Sequence, residues 1–164
     1  MGIAGSGKST VGAVLARFLG FRFQDADDHH PTENRAKMAR GEPLTDSDRQ
    51  IWLQSLALLI RAALCAGEDT VLACSALKEA YRAAMGIDHV RVRLVYLKLP
   101  AERVRARLRS RVGHFMKEEM LESQLAALEE PAVAFRVDAS ETVEVIVQQI
   151  VDGFGLSRTE PGRR

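Results

Sequence analysis

Residues 2–9 have the sequence GIAGSGKS, and a helical pattern of apolar residues follows them at once. The stretch fits G-x-x-x-x-G-K-[ST] at every fixed position, which is the pattern of a loop that wraps phosphate groups. Its glycines let successive backbone N–H groups turn toward phosphate oxygens, and the following helix adds the positive end of its dipole. The alternative is a glycine-rich turn that merely opens a helix, and the Lys-Ser ending argues against it. The predicted nucleotide-binding residues are Gly2, Ile3, Ala4, Gly5, Ser6, Gly7, Lys8, Ser9 and Thr10.

Two side chains of this loop carry the predicted phosphate chemistry. Lys8 would neutralise the β- and γ-phosphates of a nucleotide, and Ser9 would give its hydroxyl to Mg²⁺. We therefore predict a nucleotide and Mg²⁺ as cofactors. A switch GTPase or motor ATPase is disfavoured because the apolar run TVLACSAL at residues 70–77 ends in Cys-Ser without an acidic residue, and because no Asn-Lys-x-Asp motif is present.

Composition places the chain among ordinary soluble proteins. Its 164 residues are 46% hydrophobic and 27% charged, so we expect one domain over residues 1–156, with a disordered tail at 157–164. The balance of 23 basic and 22 acidic residues predicts no nucleic-acid partner, and no apolar run is long enough for a membrane span. We interpret Cys65 and Cys74 as reduced core residues of a cytoplasmic protein.

Strand and helix patterns alternate along the rest of the chain. Apolar or alternating runs at 21–26, 70–77, 90–99 and 135–139 predict four strands, and helical patterns separate them. One of these helices has a capping box at its start, formed by Thr45 and Asp48. The order predicts an α/β fold with a parallel sheet covered by helices on both faces. The phosphate loop itself has no strand ahead of it, so the first strand is apparently missing.

Two carboxylates follow the first of these strands. Asp25 and Asp27 are two residues apart in DADDHHP and project to the same side if the strand geometry persists. This is the end of the strand at which open α/β sheets bind ligands. One carboxylate could hold magnesium while the other accepts a proton from an attacking hydroxyl. A solvated acidic loop is the alternative.

Three long stretches carry a family resemblance. Residues 25–53 (DADDHHPTENRAKMARGEPLTDSDRQIWL), 71–82 (VLACSALKEAYR) and 113–131 (GHFMKEEMLESQLAALEEP) closely resemble the thermoresistant-type gluconate kinases, which are akin to shikimate and adenylate kinases. The resemblance runs from Gly2 to about Ile150. It implies a P-loop NTPase-type three-layer sandwich with a helical lid at about 103–122. It also implies ATP-dependent phosphorylation of D-gluconate at its terminal hydroxyl, in a possible homodimer.

The resemblance also implies roles for the residues around the loop. Asp27 would contact the accepting hydroxyl and act as the base, and Asp25 would lie on the magnesium side. From the lid, Arg107 and Arg111 would close over the transferring phosphate. A solvated helix face is the alternative for each arginine.

The carboxylate of gluconate needs cations, and arginines are the usual answer. We favour Arg49 and Arg82 as its partners. Lys78 shares a helix face with Arg82, and His30 and Lys37 are further candidates. For each of them a surface cation without a ligand is an equal alternative.

Two questions are left open at this stage. The acceptor could be shikimate or another sugar acid, or the chain could bind ATP without turnover. Met1 is either an internal residue of a longer chain, since a methionine often precedes the loop in the resembled family, or the strand has been lost. Without the strand we expect an apolar groove, unpaired backbone groups that cost about 1 to 3 kcal/mol each, and poor folding.

Overall fold

Seven α-helices and four β-strands alternate along residues 1–110 and 118–158, which are the residues that this computed structural model describes; the side chains of 107–110 and 118–120 are outside that description. The helices are α1 Lys8–Leu19, α2 Thr32–Ala39, α3 Asp46–Ala66, α4 Glu79–Ala84, α5 Ala101–Ser110, α6 Glu118–Ala127 and α7 Val143–Phe154. The strands are β1 Arg22–Asp25, β2 Thr70–Ala73, β3 Val95–Lys98 and β4 Phe135–Asp138. The predicted alternation of α and β elements is confirmed.

The strands are all parallel, but they form two sheets. β1 pairs with β2 in a register that runs from Arg22 opposite Thr70 to Asp25 opposite Ala73. β3 pairs with β4, with Val95 opposite Phe135. We predicted a single sheet, and the structure differs because β2 and β3 are not hydrogen-bonded to each other in the described part of the chain. At one end of the position between these two strands, Met1 bonds to Val95 and Leu97 of β3, and Gly2 bonds to Ser75.

Helices cover both faces of the strands, as predicted for a three-layer arrangement. On one face α1 and α7 contribute Val11, Leu15 and Ile150 to an apolar cluster that also includes Leu97 of β3. On the other face Trp52 and Leu56 of α3 pack with residues of and around α4 in a second cluster. The two clusters lie on opposite sides of the strands and meet at the open position between β2 and β3.

Local sequence signals place the helix ends correctly. Thr45 and Asp48 form the predicted capping box at the start of α3. Gly20 and Gly67 end α1 and α3 in the left-handed conformation that glycine adopts without strain. The strands are shorter than predicted. Ahead of β3, for example, Asp88 Oδ1 accepts the N–H groups of residues 90, 91 and 92 and holds that segment in a turn.

The prediction of two core cysteines is half wrong. Cys74 is buried, and burial raises the pKa of its thiol to about 11. Cys65 is exposed, because it lies off the helix face by which Trp52 and Leu56 pack. Both are free thiols. None of the described helices combines the length and apolarity that crossing a membrane requires.

Candidate nucleotide and acceptor site

The backbone of the phosphate loop is suited to an anion. Gly7 is the N-cap of α1, in the left-handed region at φ 95°, and no side chain caps the helix there. The first turn of α1 therefore offers backbone N–H groups to an anionic ligand. Gly2 has φ 148°, and a Cβ atom at this position would approach the Leu97 carbonyl oxygen to 2.8 Å. Only glycine fits where the loop crosses the end of β3.

Lys8 lies across the loop. Its Nζ donates to the Ile3 carbonyl oxygen at 3.1 Å. Burial lowers the pKa of the Lys8 ammonium, while the nearby carboxylates of Asp27 and Asp25 raise it. The amine is thus held within the loop and close to the two acidic groups of β1's end, where a phosphate chain would need a positive charge.

Ser9 and Asp25 bring two oxygen ligands together. Ser9 Oγ donates to Asp25 Oδ2 at 2.5 Å across the gap between α1 and β1. A hydroxyl and a carboxylate are hard oxygen donors of the kind that Mg²⁺ takes together with phosphate oxygens. The two residues predicted as the metal site are therefore adjacent, and their donor chemistry suits that ion.

Asp27 stands at the start of a short 3₁₀ turn that follows β1. Asp25 Oδ1 accepts the Asp27 backbone N–H at 3.1 Å, and this bond caps the turn at residues 26–29. The Asp27 side chain is open to solvent, but the protein around it desolvates the carboxyl in part. This desolvation, together with the charge of Asp25, raises the pKa of Asp27, and Lys8 opposes the shift. A carboxylate with a raised pKa is a better proton acceptor.

Trp52 and His30 connect this turn to α3. The Trp52 indole Nε1 donates to the Ala26 carbonyl oxygen at 2.7 Å. The His30 ring stacks on the indole with centroids 4.4 Å apart and planes 10° from parallel. His30 is only 5% exposed, and burial lowers its pKa to about 4, with Arg49 and Arg35 adding to the effect. At neutral pH it carries no charge, which disfavours His30 as a cation for the substrate. Its place among the substrate-binding residues stays a prediction.

Two of the predicted cations, Lys37 and Arg82, each pair with a carboxylate, and Arg82 also donates to carbonyl oxygens. Lys37 Nζ lies 2.7 Å from Oδ1 of Asp48. Arg82 is 3% exposed, and its Nη2 lies 2.7 Å from Glu79 Oε2. Its Nη1 donates to the carbonyl oxygens of residues 76 and 77 at 2.8 and 3.1 Å. These contacts disfavour Arg82, one of our two preferred residues, as a ligand for gluconate.

The other two cations share one carboxylate. Lys78 Nζ lies 2.8 Å from Asp46 Oδ2, and Arg49 Nη1 lies 3.6 Å from Asp46 Oδ1. Tyr81 joins them, because its hydroxyl donates to Asp46 and accepts from Arg49 Nη1 at 3.3 Å. Two positive charges thus surround one negative charge, and the surplus can bind a further anion. We call Asp46, Arg49, Lys78 and Tyr81 the cation cluster.

Some residues of the site have no motif that sequence reasoning could use. Gln124 of α6 accepts the Ala4 N–H of the phosphate loop at 2.7 Å, across 120 positions of sequence. Asp46 and Tyr81 organise the cation cluster in the same long-range manner. The stretches of family resemblance include all three residues, which is the one signal that pointed toward them.

The lid prediction falls mostly beyond the described region. Arg111 and the side chain of Arg107 lie outside the described residues. The flanking helices are tied together, because Arg105 of α5 pairs with Glu122 of α6.

The phosphate loop lies beside the carboxylates of Asp25 and Asp27, and the cation cluster includes residues of the first turn of α3. This is the arrangement of a P-loop kinase for a small molecule. A family model described as "Shikimate kinase" matches residues 4–153. The thermoresistant gluconokinase of Escherichia coli (strain K12) is 38% identical over 160 residues, covering 98% of this chain and 89% of that protein. The chain belongs to the shikimate kinase family and, within it, to the gluconokinases.

Solved structures agree with this placement. An unliganded sugar kinase from Janibacter sp. HTCC2649 matches with a TM-score of 0.88 at 38% identity, over 98% of this chain and 96% of that one. A gluconokinase from Sinorhizobium meliloti 1021 matches with a TM-score of 0.79 at 35% identity, over 94% of this chain and 89% of that one. The P-loop kinase fold is therefore confirmed.

Proposed function

We propose that this chain transfers the γ-phosphate of ATP to the 6-hydroxyl of D-gluconate, giving 6-phospho-D-gluconate. The names of its gluconokinase relatives support the choice of substrate. The observation on this chain that carries the proposal is the position of Asp27. It stands in a turn capped by Asp25, whose carboxylate is hydrogen-bonded to Ser9 of the phosphate loop.

The loop side of the site would hold the nucleotide. The β- and γ-phosphates of ATP would lie against the N–H groups of residues 2–10, with Lys8 beside them. Ser9 and Asp25 would hold Mg²⁺, which when bound neutralises charge that develops on the phosphates. The missing side-chain cap of α1 supports this assignment, because the N-terminal dipole of the helix is left for the anion.

Asp27 would position the accepting hydroxyl and take its proton. The O–H bond of the accepting hydroxyl breaks, and its proton passes to an Asp27 oxygen. The acceptor oxygen bonds to the γ-phosphorus as the bond from that phosphorus to the β–γ bridging oxygen breaks, and ADP is the leaving group. Phosphoryl transfer asks mostly for positioning and charge stabilisation, so a carboxylate with a modestly raised pKa suffices. Trp52 keeps the turn in place through the Ala26 carbonyl oxygen.

The cation cluster would bind the other end of gluconate. Arg49 and Trp52 are three residues apart on α3 and share a face, so the cluster begins one turn of helix from the residue that holds the Asp27 turn. Gluconate has its carboxylate at C1 and its last hydroxyl at C6. An extended acceptor could thus place the carboxylate on Arg49 and Lys78 while its far hydroxyl reaches Asp27. Lys37 would contribute less than Arg49 and Lys78, because Asp48 already compensates its charge.

The segment at about 103–122 would serve as a lid over the bound phosphates. In this proposal Arg107 and Arg111 supply positive charge to the transferring group and exclude water from it. The lid and the loop would belong to one kinase domain over residues 1–156. The contact of Gln124 with Ala4 supports a connection between the lid's second helix and the loop.

The test is ADP release from Mg-ATP by the full chain with four additions: D-gluconate, shikimate, D-glucitol, and buffer alone. D-Glucitol has the same six-carbon chain with a hydroxymethyl group in place of the carboxylate. We expect gluconate to stimulate release strongly, with little response to shikimate or D-glucitol. Asp27→Asn should remove the stimulation, and Asp28→Asn is the matched control on the neighbouring exposed carboxylate.

Other results would redirect the assignment. Stimulation by shikimate in preference to gluconate would make the chain a kinase for another acid. Binding of ATP without stimulation by any acceptor would favour an ATP-binding module without turnover.

A further inference from the structure

The connection that follows α6 contacts the chain on both sides of Lys78. The Glu129 N–H donates to the Leu77 carbonyl oxygen at 2.9 Å. The Glu129 carboxylate oxygen Oε2 accepts the Glu79 N–H at 2.6 Å, across 50 positions of sequence. One residue of a distant segment therefore bonds to the backbone immediately before and immediately after a lysine of the cation cluster.

The second of these bonds caps α4. Lys78 is the N-cap residue of this helix, in an extended conformation, and its own side chain does not cap it. The first N–H groups of a helix have no partner within the helix, and a carboxylate there also meets the positive end of the helix dipole. Glu129 supplies that carboxylate to Glu79, the first residue of α4. The bond therefore fixes the start of α4, and with it the Cα atom of Lys78.

The position of this Cα atom matters because of what the Lys78 side chain contacts. Its Nζ lies 2.9 and 2.8 Å from the two carboxylate oxygens of Asp46, and 5.4 Å from the centre of the Tyr81 ring. Several rotatable bonds separate this nitrogen from the backbone. The ammonium can contact Asp46 and a further anion together only if the backbone holds the lysine at the right distance.

Glu129 is itself fixed relative to the phosphate loop. In α6 the Gln124 side-chain oxygen accepts the Ala4 N–H at 2.7 Å, and Leu121 is 1% exposed within the apolar core. The helix thus bonds to the loop, and the connection at its end bonds to the backbone around Lys78. This segment therefore sets the position of Lys78 relative to the loop, and so the separation of the two ends of the site.

The charge of Glu129 argues against direct contact with an acidic acceptor. Its carboxylate would repel that of gluconate, and one of its oxygens already accepts the Glu79 N–H. Its side chain is exposed, so replacing it leaves no buried group without a partner. Replacement also keeps the backbone bond to Leu77, because that bond uses the Glu129 N–H. Substitution at this position therefore tests the carboxylate alone.

We propose that Glu129 is a positioning residue for acceptor recognition, which caps α4 and thereby holds the Lys78 ammonium where it binds the carboxylate of the acceptor. This role rests on the proposed function, in which the cation cluster binds gluconate. Glu129 acts through Lys78 and does not touch the acceptor itself.

The first test compares Glu129→Met with Glu129→Gln. Methionine removes the acceptor oxygen, whereas glutamine keeps a carbonyl oxygen for the Glu79 N–H. In ADP-release assays of the full chain, Glu129→Met should raise the KM for gluconate by about 10-fold, because Lys78 loses its alignment with the acceptor carboxylate. Its kcat and KM for ATP should stay within about 2-fold of the unmodified chain. Glu129→Gln should restore most of the affinity for gluconate.

The neighbouring carboxylate provides the matched control. Glu130 lies 2.8 Å from the Lys98 ammonium and makes no contact with the backbone around Lys78 in the described part of the chain. Glu130→Met should therefore leave the KM for gluconate unchanged. An equal rise in KM in Glu130→Met and Glu129→Met would overturn the proposal, because it would show a general effect of the connection.

A double-mutant cycle tests whether Glu129 acts through Lys78. Lys78→Met should itself raise the KM for gluconate by about 10-fold or more, because it removes a charge from the cation cluster. Adding Glu129→Met to Lys78→Met should then change the KM by less than about 2-fold, since the contact that Glu129 supports is already lost. A further rise of about 10-fold in the double variant would overturn the proposal.

The titration of Asp46 gives a readout that does not depend on turnover. The hydrogen bond from Lys78 is the largest cause that lowers the pKa of the Asp46 carboxyl, and the bond from Tyr81 adds to it. By ¹³C NMR, we expect this pKa to rise toward the ordinary aspartate value in Glu129→Met and to stay low in Glu129→Gln. An unchanged pKa in Glu129→Met would overturn the proposal.

The failure of this role and the failure of the proposed function give different results. A chain that gluconate does not stimulate would overturn the proposed function and with it the acceptor role, while the Asp46 titration would still decide whether Glu129 holds Lys78. Stimulation by gluconate with an unchanged KM in Glu129→Met would overturn the role of Glu129 and leave the proposed function standing.

Discussion

The phosphate end and the acceptor end of the site are built in different ways. At the phosphate end the contacts come from consecutive residues of one loop, and backbone conformation does most of the work, as at Gly2 and Gly7. At the acceptor end the contacts come from α2, α3 and the region of α4. Apart from the Arg49–Asp46 pair, they join residues 11 to 35 positions apart. The phosphate end therefore depends on a contiguous sequence motif, whereas the acceptor end depends on side-chain pairs that are brought together only by the fold.

The difference matters most for the cations. Arg82 and Arg49 both looked suitable for a substrate carboxylate, but Arg82 is buried against Glu79 and two carbonyl oxygens, whereas Arg49 shares Asp46 with Lys78. The first arginine stabilises the fold, and the second contributes to a surplus of positive charge. A cation is available to a ligand only when its fixed partners leave charge uncompensated.

The largest expected effect is at the phosphate end. Lys8→Met should lower kcat by about 10³-fold or more, because it removes a positive charge aimed at the transferring phosphate. Steady-state kinetics with gluconate and Mg-ATP measure this loss. The control is Lys98→Met, which removes an exposed lysine paired with Glu130 and should leave kcat within about 2-fold. Equal losses in the two variants would contradict a special role for the loop lysine.

The pH dependence of kcat/KM tests the proposed role of Asp27 as the proton acceptor. Asp27 must be ionised to accept a proton, and its raised pKa places the acid limb of kcat/KM above the usual aspartate value of about 3.9. The charge of Asp28 also raises this pKa, so Asp28→Asn should move the limb to lower pH while keeping the maximal rate. A limb that stays in place in this variant would show that another group sets it.

Substitution of Arg49 should affect substrate binding, whereas substitution of Arg82 should affect stability. Arg49→Met should raise the KM for gluconate by about 10- to 100-fold, because a hydrogen bond between charged groups usually contributes that factor to binding. The melting temperature should change little. Arg82→Met should lower the free energy of unfolding by about 2 to 4 kcal/mol, because buried carbonyl oxygens lose their donors. Kinetics and urea unfolding of both variants give the comparison. A reversed pattern, with Arg82 controlling KM at unchanged stability, would contradict our assignment.

The smallest expected effect concerns the scaffold of the acceptor end. Thr45→Ala removes the capping box of α3 and should cost about 1 kcal/mol of unfolding free energy, measured by urea denaturation at neutral pH. Lys37 and Thr45 lower the pKa of Asp48 to about 2. The stability contributed by Asp48 is therefore present above about pH 4 and is lost as the pH falls toward 2. The acid sensitivity of Thr45→Ala in this window should be weaker than that of the unmodified chain.

Sequence was most informative where chemistry and conformation are local. The phosphate loop, the cap at Thr45 and the glycine ends of α1 and α3 each depend on a few consecutive residues, and the structure places them as predicted. Asp25 lies at the end of β1 as predicted, whereas Asp27 lies in the 3₁₀ turn that follows the strand, so strand alternation does not orient the two carboxylates. Their proposed roles remain predictions.

Sequence was least informative where the outcome depends on what a residue meets across the fold. The neutral state of His30 depends on burial against Trp52, and the separation of the two sheets depends on what lies between β2 and β3. Arg82 could not be set apart from Arg49 without the contacts of Glu79 and Asp46. Charge partners and burial are properties of the tertiary structure, and residue spacing in the sequence does not predict them.

The central claim is that the site has two ends, with the carboxylate of gluconate on the cation cluster and the far hydroxyl on Asp27. The position of the phosphate on the product tests it most directly, by ¹³C and ³¹P NMR of the compound made from D-gluconate and Mg-ATP. The account predicts phosphorus coupling to C6 and C5 alone. Phosphate on C2 or C3, next to the carboxylate, would contradict it.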